Sequence, residues 1–202
     1  MKDINITIVN WKMKDDIDRC LVSLFQDVKE SELDVVVHVV DNSGNQDGIK
    51  EMLEEKYSQV EYHNIGKNFG FARAQNLGLG MTEAKFYLAL NPDCEFKPNS
   101  KTLRKLVDFL NNNEKAGIVG PKLLNEDGSV QESCMRFTKF FDVIYRRLNL
   151  HKKRVDYYLM RDFDHNQTVK VDCMIGAFLM IKKELVDKIG LFDERFFMYF
   201  ED

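Results

Sequence analysis

The tightest constraint on how this chain folds is a pair of short apolar runs that leave no face for water. Val35-Val36-Val37-His38-Val39-Val40 is almost entirely valine, and Phe86-Tyr87-Leu88-Ala89-Leu90 carries no charge. Runs of this length suit strands buried on both faces, as happens where helices cover a mainly parallel sheet. Ile4 to Val9 is a further β-branched run, and Val60 to His63 a shorter one. Between the runs the period changes. Asp15 to Gln26 puts Ile17, Cys20, Leu21 and Leu24 on one helical face. Asp47 to Tyr57, Phe69 to Leu79 and Ser100 to Leu110 read as three more helices, the last with Ser100 as its cap. Strand and helix in alternation predict a Rossmann-like α/β fold, with a mainly parallel, doubly wound sheet and helices on both faces.

The second half reads differently. Gly117 to Gly120 is a short strand, and Leu123 to Gln131 is a hairpin around Asp127-Gly128. Met135 to His165 is rich in Arg, Lys and aromatics without a clear period. Thr168 to Ile181 regains strand character with a break at Gly176, and Lys183 to Ile189 is a short helix ending at Gly190. The 202 residues are expected to form one domain. Its halves would be 1–115 for a nucleotide and 116–202, a small mixed sheet, for an acceptor. The aromatic run that precedes Glu201-Asp202 wants to be packed, which reads as a piece cut from a longer protein.

Bulk properties exclude some classes. A net charge of −4 gives no general basic face for nucleic acid. Cys20, Cys94, Cys134 and Cys173 are widely spaced, which fits free thiols in a reducing compartment and no zinc site. No signal peptide or membrane span is legible, so the expected location is the cytoplasm, with contact at the inner membrane face as an option. Arg136, Lys139, Arg146, Arg147, Lys152, Lys153 and Arg154 lie among Phe and Tyr. They read either as a surface for a lipid-diphosphate acceptor or an anionic membrane, or as a solvated face.

The strand ends carry the chemistry, because ligands of open α/β sheets bind beyond the carboxyl ends of the strands. The Phe86 run stops at Asn91-Pro92-Asp93. There Asp93 either holds a divalent cation against a phosphate or caps the next helix. Trp11 leaves the first strand, to cover a nucleobase or to fill the core. Asp41 leaves the second, to accept hydrogen bonds from a base or ribose or to close an Asx-turn. The third is followed by Gly66 and Gly70, which allow close backbone approach, and by Arg73 in the first turn of a helix. No G-x-G-x-x-G or G-x-x-x-x-G-K-[ST] is present. The four ends together point to a nucleoside diphosphate with a metal ion.

The chain resembles the inverting family 2 glycosyltransferases of the GT-A fold, especially the bacterial rhamnosyltransferase-like branch. The likeness rests on Ile6-Thr7-Ile8-Val9-Asn10-Trp11, Val40-Asp41-Asn42-Ser43, Asn68 to Asn76 and Leu90-Asn91-Pro92-Asp93. It continues through Gly120-Pro121-Lys122-Leu123, Asp127 to Gln131, Gly176 to Met180 and Gly190 to Asp202. The resemblance implies transfer of a sugar from a UDP- or dTDP-sugar to a saccharide or lipid-linked saccharide hydroxyl, with Mg2+ or Mn2+, in bacterial cell-surface polysaccharide synthesis. It places Val9, Asn10, Trp11, Asp41, Asn68, Gly70, Arg73, Asn76, Asn91 and Glu201 at the substrates, Asp93 at the metal and Asp202 as catalytic base. Asn91 stands where a D-x-D element has its first acid. A second copy of the chain is a candidate partner. Two other classes stay open: a nucleotide-sugar-binding fragment without turnover, and a sugar nucleotidyltransferase, which would want a glycine-rich loop where Asn10-Trp11-Lys12-Met13 stands.

Overall fold

The computed structural model describes residues 1–137, 144, 145, 147, 148 and 150–198. The element order is β1 (Lys2–Asn10), α1 (Lys14–Ser31), β2 (Val35–Asp41), α2 (Ile49–Lys56), β3 (Val60–Asn64), α3 (Phe71–Met81), β4 (Ala84–Leu90) and α4 (Thr102–Asn112). Then follow β5 (Ile118–Val119), β6 (Cys134–Met135), α5 (Lys152–Tyr158), β7 (Cys173–Met174), β8 (Phe178–Lys182) and α6 (Lys183–Ile189). Each strand and helix read from the first 112 residues is present. Helix α5 lies in the stretch where no period was legible.

One sheet has the order β3-β2-β1-β4-β8-β5. Its first four strands are parallel, and β8 runs antiparallel to both neighbours. The chain steps from β1 out to β2 and β3, then crosses back to place β4 on the other side of β1. That reversal makes the β1/β4 boundary a topological switch point, where the carboxyl ends of the strands open a crevice.

Strand β1 is buried on both faces, as its position in mid-sheet demands. Ile4, Ile6 and Ile8 are fully buried on one face. Asn5 and Thr7, fully buried on the other, meet α3. The Asn5 amide donates to the carbonyls of Gly78, Leu79 and Thr82 at 3.2, 3.0 and 2.9 Å. It thereby satisfies the last turn of α3, whose carbonyls have no partner within the helix. In α1 the four residues read from the sequence, Ile17, Cys20, Leu21 and Leu24, are all fully buried. Burial of this kind contributes roughly 1.5–3 kcal/mol per large aliphatic side chain.

The start of α4 corrects one expectation. Ser100 does not cap it. Asp27, buried on α1, accepts from the N–H groups of Thr102 at 2.6 Å and Leu103 at 3.0 Å. Ser100 Oγ instead donates to Asp27, 3.1 Å away, and Ser31 Oγ does the same at 3.1 Å. A carboxylate outcompetes a hydroxyl here because the helix N-terminus favours negative charge. Asp27→Ala leaves these buried donors unmet and is expected to cost about 2–3 kcal/mol, read from urea unfolding. A loss within about 0.5 kcal/mol, the range of a neutral surface change, would sink the assignment.

The chain divides into two compact units, residues 1–120 with those from 176 onward, and residues 121–175. The change of character read after residue 115 is therefore followed by a return at 176, because β8 joins the first sheet between β4 and β5. The second unit contains the β6–β7 pair and α5. Its hairpin forms around Asp127-Gly128, with Leu124 bridging Val130. In this unit Arg136 pairs with Asp162 at 2.8 Å and lies over the Tyr157 ring. One of the cations read as a membrane surface is thus spent within the unit. Lys139 and Arg146 lie outside the described residues. Among the described residues no helix is long and apolar enough to cross a membrane.

Candidate active site

Because β1 to β4 are parallel, the four strand ends singled out in the sequence share one edge of the sheet. Asn10 pairs with Asp41, and Asp41 with Asn64, so three polar residues close the strands in one row. From the end of β3 to that of β4 is three strand spacings, about 14 Å. An extended ligand could lie across it.

The row is built by Asp41. Its carboxylate is fully buried. One oxygen accepts from Ser43 N–H at 2.8 Å, Ser43 Oγ at 2.7 Å and the Asn10 amide at 3.0 Å. The other accepts from Tyr62 Oη at 2.9 Å and from the Asn45 N–H. Burial pushes the carboxyl pKa up, but the donors from Ser43, Tyr62 and Asn45 outweigh it and hold the group below its ordinary value. Burial and the bond to Asp41 raise the Tyr62 phenol. The Asx-turn is thus the reading of Asp41 that this structure contains. A base or ribose reaching its oxygens would have to displace Tyr62 or Asn45.

Asn10 is also fully buried. Its amide donates to Asp47 at 3.2 Å, and its carbonyl accepts from Met13 N–H at 2.9 Å. Asp47 in turn accepts from Lys14 N–H at 3.1 Å, which fixes the turn from β1 into α1. No local pattern marks Asp47 for this role, since its partners lie more than thirty residues away. Val9 packs with Val40, Ala74 and Ile65 beneath the row. Trp11 is 44% exposed, so it does not fill the core. Its ring stands at the open edge, with the Lys12 ammonium 5.5 Å from its centroid.

The loop after β3 is stitched to β2 by Asn42, which accepts from Phe69 N–H at 3.2 Å and donates to the Gly70 carbonyl at 3.1 Å. Asn68 closes an Asx-turn onto Gly70 N–H at 2.9 Å. Gly70 has φ +92°. A Cβ there would stand 2.4 Å from the Phe197 carbonyl oxygen, which accepts from Phe71 N–H at 3.0 Å. Arg73 is exposed, and its guanidinium lies 4.5 Å from the Phe69 ring centroid. With Phe69, Asn76, Leu77 and Glu194 it lines a pocket of about 400 Å³. Asn76 faces the chain itself. Its amide donates to the Phe192 carbonyl at 2.9 Å and to Glu194 at 3.0 Å, and its oxygen accepts from Phe192 N–H at 3.0 Å. It clamps the segment that leads toward Glu201 and Asp202, two residues outside those described.

At the end of β4 the turn is pinned from β8. The Ala177 carbonyl accepts from Asn91 N–H at 2.8 Å and from the Cys94 thiol at 3.4 Å. Asp93 is exposed, and among the described residues its carboxylate has no hydrogen-bond or ion-pair partner. Helix α4 begins nine residues on and is capped by Asp27, so Asp93 caps nothing. A free, exposed carboxylate fits a hard divalent cation, with phosphate oxygens and water filling the remaining positions. None of the four cysteines is in a disulfide. Burial, then the charge of Asp93, pushes the Cys94 thiol up to about 12, so it is no nucleophile at neutral pH.

This arrangement of sheet, switch point and strand-end chemistry is the GT-A fold. S. aureus TarS residues 1–349 superposes with TM-score 0.59 at 17% identity, over 95% of this chain and 50% of that one. The mannosyltransferase PcManGT from Pyrobaculum calidifontis, in complex with GDP-Man and Mn2+, also gives 0.59, at 16% identity over 96% and 50%. The chain belongs to glycosyl transferase family 2, whose model matches residues 4–190. It is 28% identical to the low-salt glycan biosynthesis hexosyltransferase Agl10 of Haloferax volcanii, covering 100% of this chain and 60% of that protein. It is 25% identical to the N-acetylglucosaminyl-diphospho-decaprenol L-rhamnosyltransferase of Mycobacterium tuberculosis, covering 98% and 67%.

Proposed function

We propose that this chain carries the donor site of an inverting glycosyltransferase, one that moves a sugar from a UDP- or dTDP-sugar to the hydroxyl of a saccharide or lipid-linked saccharide. The observation that carries the reading is Asp93, an exposed carboxylate without a partner among the described residues, at the strand end beside the switch point. Family membership supports it, as does the lipid-diphosphate sugar named for the mycobacterial relative.

The roles follow from charge and placement. Trp11 covers the base at the open edge. Asp41 and Asn10 act by holding that edge in shape, and Asn68, Gly70 and Asn91 set the backbone against which the diphosphate lies. Arg73 faces its negative charge. Asp93 would hold Mg2+ or Mn2+, which when bound would supply neutralisation of charge on the departing diphosphate. Asp202, beside Glu201, takes the proton from the acceptor hydroxyl. The new bond forms at the anomeric carbon on the face opposite the diphosphate as the old carbon–oxygen bond breaks, so the configuration inverts. No covalent sugar–protein intermediate is required, in keeping with the raised Cys94 thiol.

A thermal-shift panel of nucleotide sugars, with and without Mn2+, tests the reading. A matching donor should raise the melting temperature only when Mn2+ is present, because binding to the folded state alone stabilises it by mass action. Absence of a shift across UDP-, dTDP- and GDP-sugars would overturn it. A positive panel without turnover on added acceptors would leave a binding chain that is not a transferase.

A further inference from the structure

Away from the strand-end row, three metal-ligating side chains converge on the edge of the same sheet. His38 pairs with Glu61, and Val40 with His63, in the parallel β2–β3 register. Cross-strand partners share a face and alternate residues repeat it, so His38, Glu61 and His63 issue from one face of two adjacent strands. That is the α3 face, since Val40 on it packs against Ala74. Their ligand atoms all lie within 4.8 Å of one another. His38 Nδ1 is 2.9 Å from His63 Nε2 and 3.4 Å from a Glu61 carboxylate oxygen.

The far side of the His38 ring offers a partner for its other nitrogen. Its Nε2 stands 3.1 Å from Thr82 Oγ1, at the C-terminal cap of α3. With Nε2–H donating to that hydroxyl, the Nδ1 lone pair points toward His63 and Glu61. A second hydrogen bond of this kind orients metal-bound imidazoles. His38 is fully buried, whereas the Glu61 side chain is 55% exposed, so the cluster has a rigid floor and an open mouth.

We propose that His38 Nδ1, His63 Nε2 and the Glu61 carboxylate form a binding site for a borderline divalent transition metal, Zn2+ foremost, with a fourth position open to water. Two imidazoles and one carboxylate suit Zn2+, Co2+ or Ni2+ and disfavour Mg2+, Ca2+ and Mn2+, which take oxygen ligands. The spacing agrees. Ligands about 2.0–2.1 Å from a tetrahedral ion stand roughly 3.3 Å from one another. Two of the three separations, 2.9 and 3.4 Å, lie within a few tenths of an ångström of that, and the third, between Glu61 and His63 and within 4.8 Å, would close by rotation of the exposed Glu61 side chain. The site is separate from Asp93 in residues and in metal preference, and it holds whether or not the chain transfers sugars. Its effect would be to tie the edge strand β3 to β2, and through β3 to steady the loop that begins after Asn64.

The test uses the untagged, chelator-treated protein, titrated by calorimetry with Zn2+, and with Co2+ for absorption. One Zn2+ per chain is expected, a Co2+ spectrum of four-coordinate intensity, and a rise in melting temperature with Zn2+ that Mg2+ does not give. His63→Ala and Glu61→Gln should each weaken Zn2+ binding tenfold or more. Both positions are half-buried or exposed, so the variants keep their fold, which melting in chelator confirms. Stoichiometric Zn2+ binding that survives unchanged in His63→Ala would place the metal elsewhere and overturn the proposal. Absence of Zn2+ binding to the wild-type chain overturns it as well.

Discussion

Asp93→Ala is expected to abolish metal-dependent binding of the nucleotide sugar while leaving the fold intact. The side chain is exposed and has no partner among the described residues, so its removal should change stability by no more than about 0.5 kcal/mol. The loss should appear where charge develops. Turnover should fall by at least about 10²–10³-fold, the size seen when one group that stabilises developing charge is deleted. Calorimetry with a UDP- or dTDP-sugar, with and without Mn2+, separates the two terms. Asp93→Asn should behave nearly as badly, because shape is kept and charge is not. Undiminished donor binding with the same Mn2+ dependence would refute the metal assignment.

The second large effect is expected at Gly70. An alanine Cβ would stand 2.4 Å from the Phe197 carbonyl oxygen, in a backbone conformation that side chains rarely adopt. The obstacle is backbone, so rotating a side chain cannot relieve it. Gly70→Ala should therefore cost roughly 1–3 kcal/mol and push the 191–198 segment off α3. Asn76→Ala should loosen the same segment from its other anchor, the two bonds to the Phe192 backbone. With Asp202 as the base, Asn76→Ala should lose turnover more than donor binding, whereas Gly70→Ala, whose backbone also faces the diphosphate, should lose both. Hydrogen exchange at the Phe71 amide reads the release directly, since its acceptor is the Phe197 carbonyl. Unchanged protection there in Gly70→Ala would show that the segment has stayed in place.

Much of this is legible in the sequence. Val35–Asp41 and Ala84–Leu90 announce themselves because a strand buried on both faces has no polar alternation to hide it. The helices of the first unit follow from their 3.6-residue period. The parallel order then puts Trp11, Asp41, Gly70 and Asp93 on one edge without further information. What stayed hidden depends on contacts far apart in sequence. Asp27 caps a helix that begins seventy-five residues later, and a polar residue on a helix face looks the same in sequence whether it caps or is solvated. Asn76 lies in a motif that resembles a nucleotide site, yet its amide is used by the backbone of Phe192, 116 residues on. The His38, Glu61 and His63 cluster requires the β2–β3 register, which no local pattern fixes.

The antiparallel β8 also has a consequence for how the protein is made. Phe86 pairs with Lys182 and Leu90 with Phe178. When β4 leaves the ribosome, the strand that will cover its outer edge has not been synthesised. At roughly 5–20 residues per second, the wait lasts on the order of 5–20 s. Throughout it the nascent sheet presents an apolar strand with open N–H and C=O groups, a template on which other chains can pair. Residues 121–175 therefore act as a delay line, and lengthening them would widen the window for aggregation during synthesis even where the finished fold is unchanged.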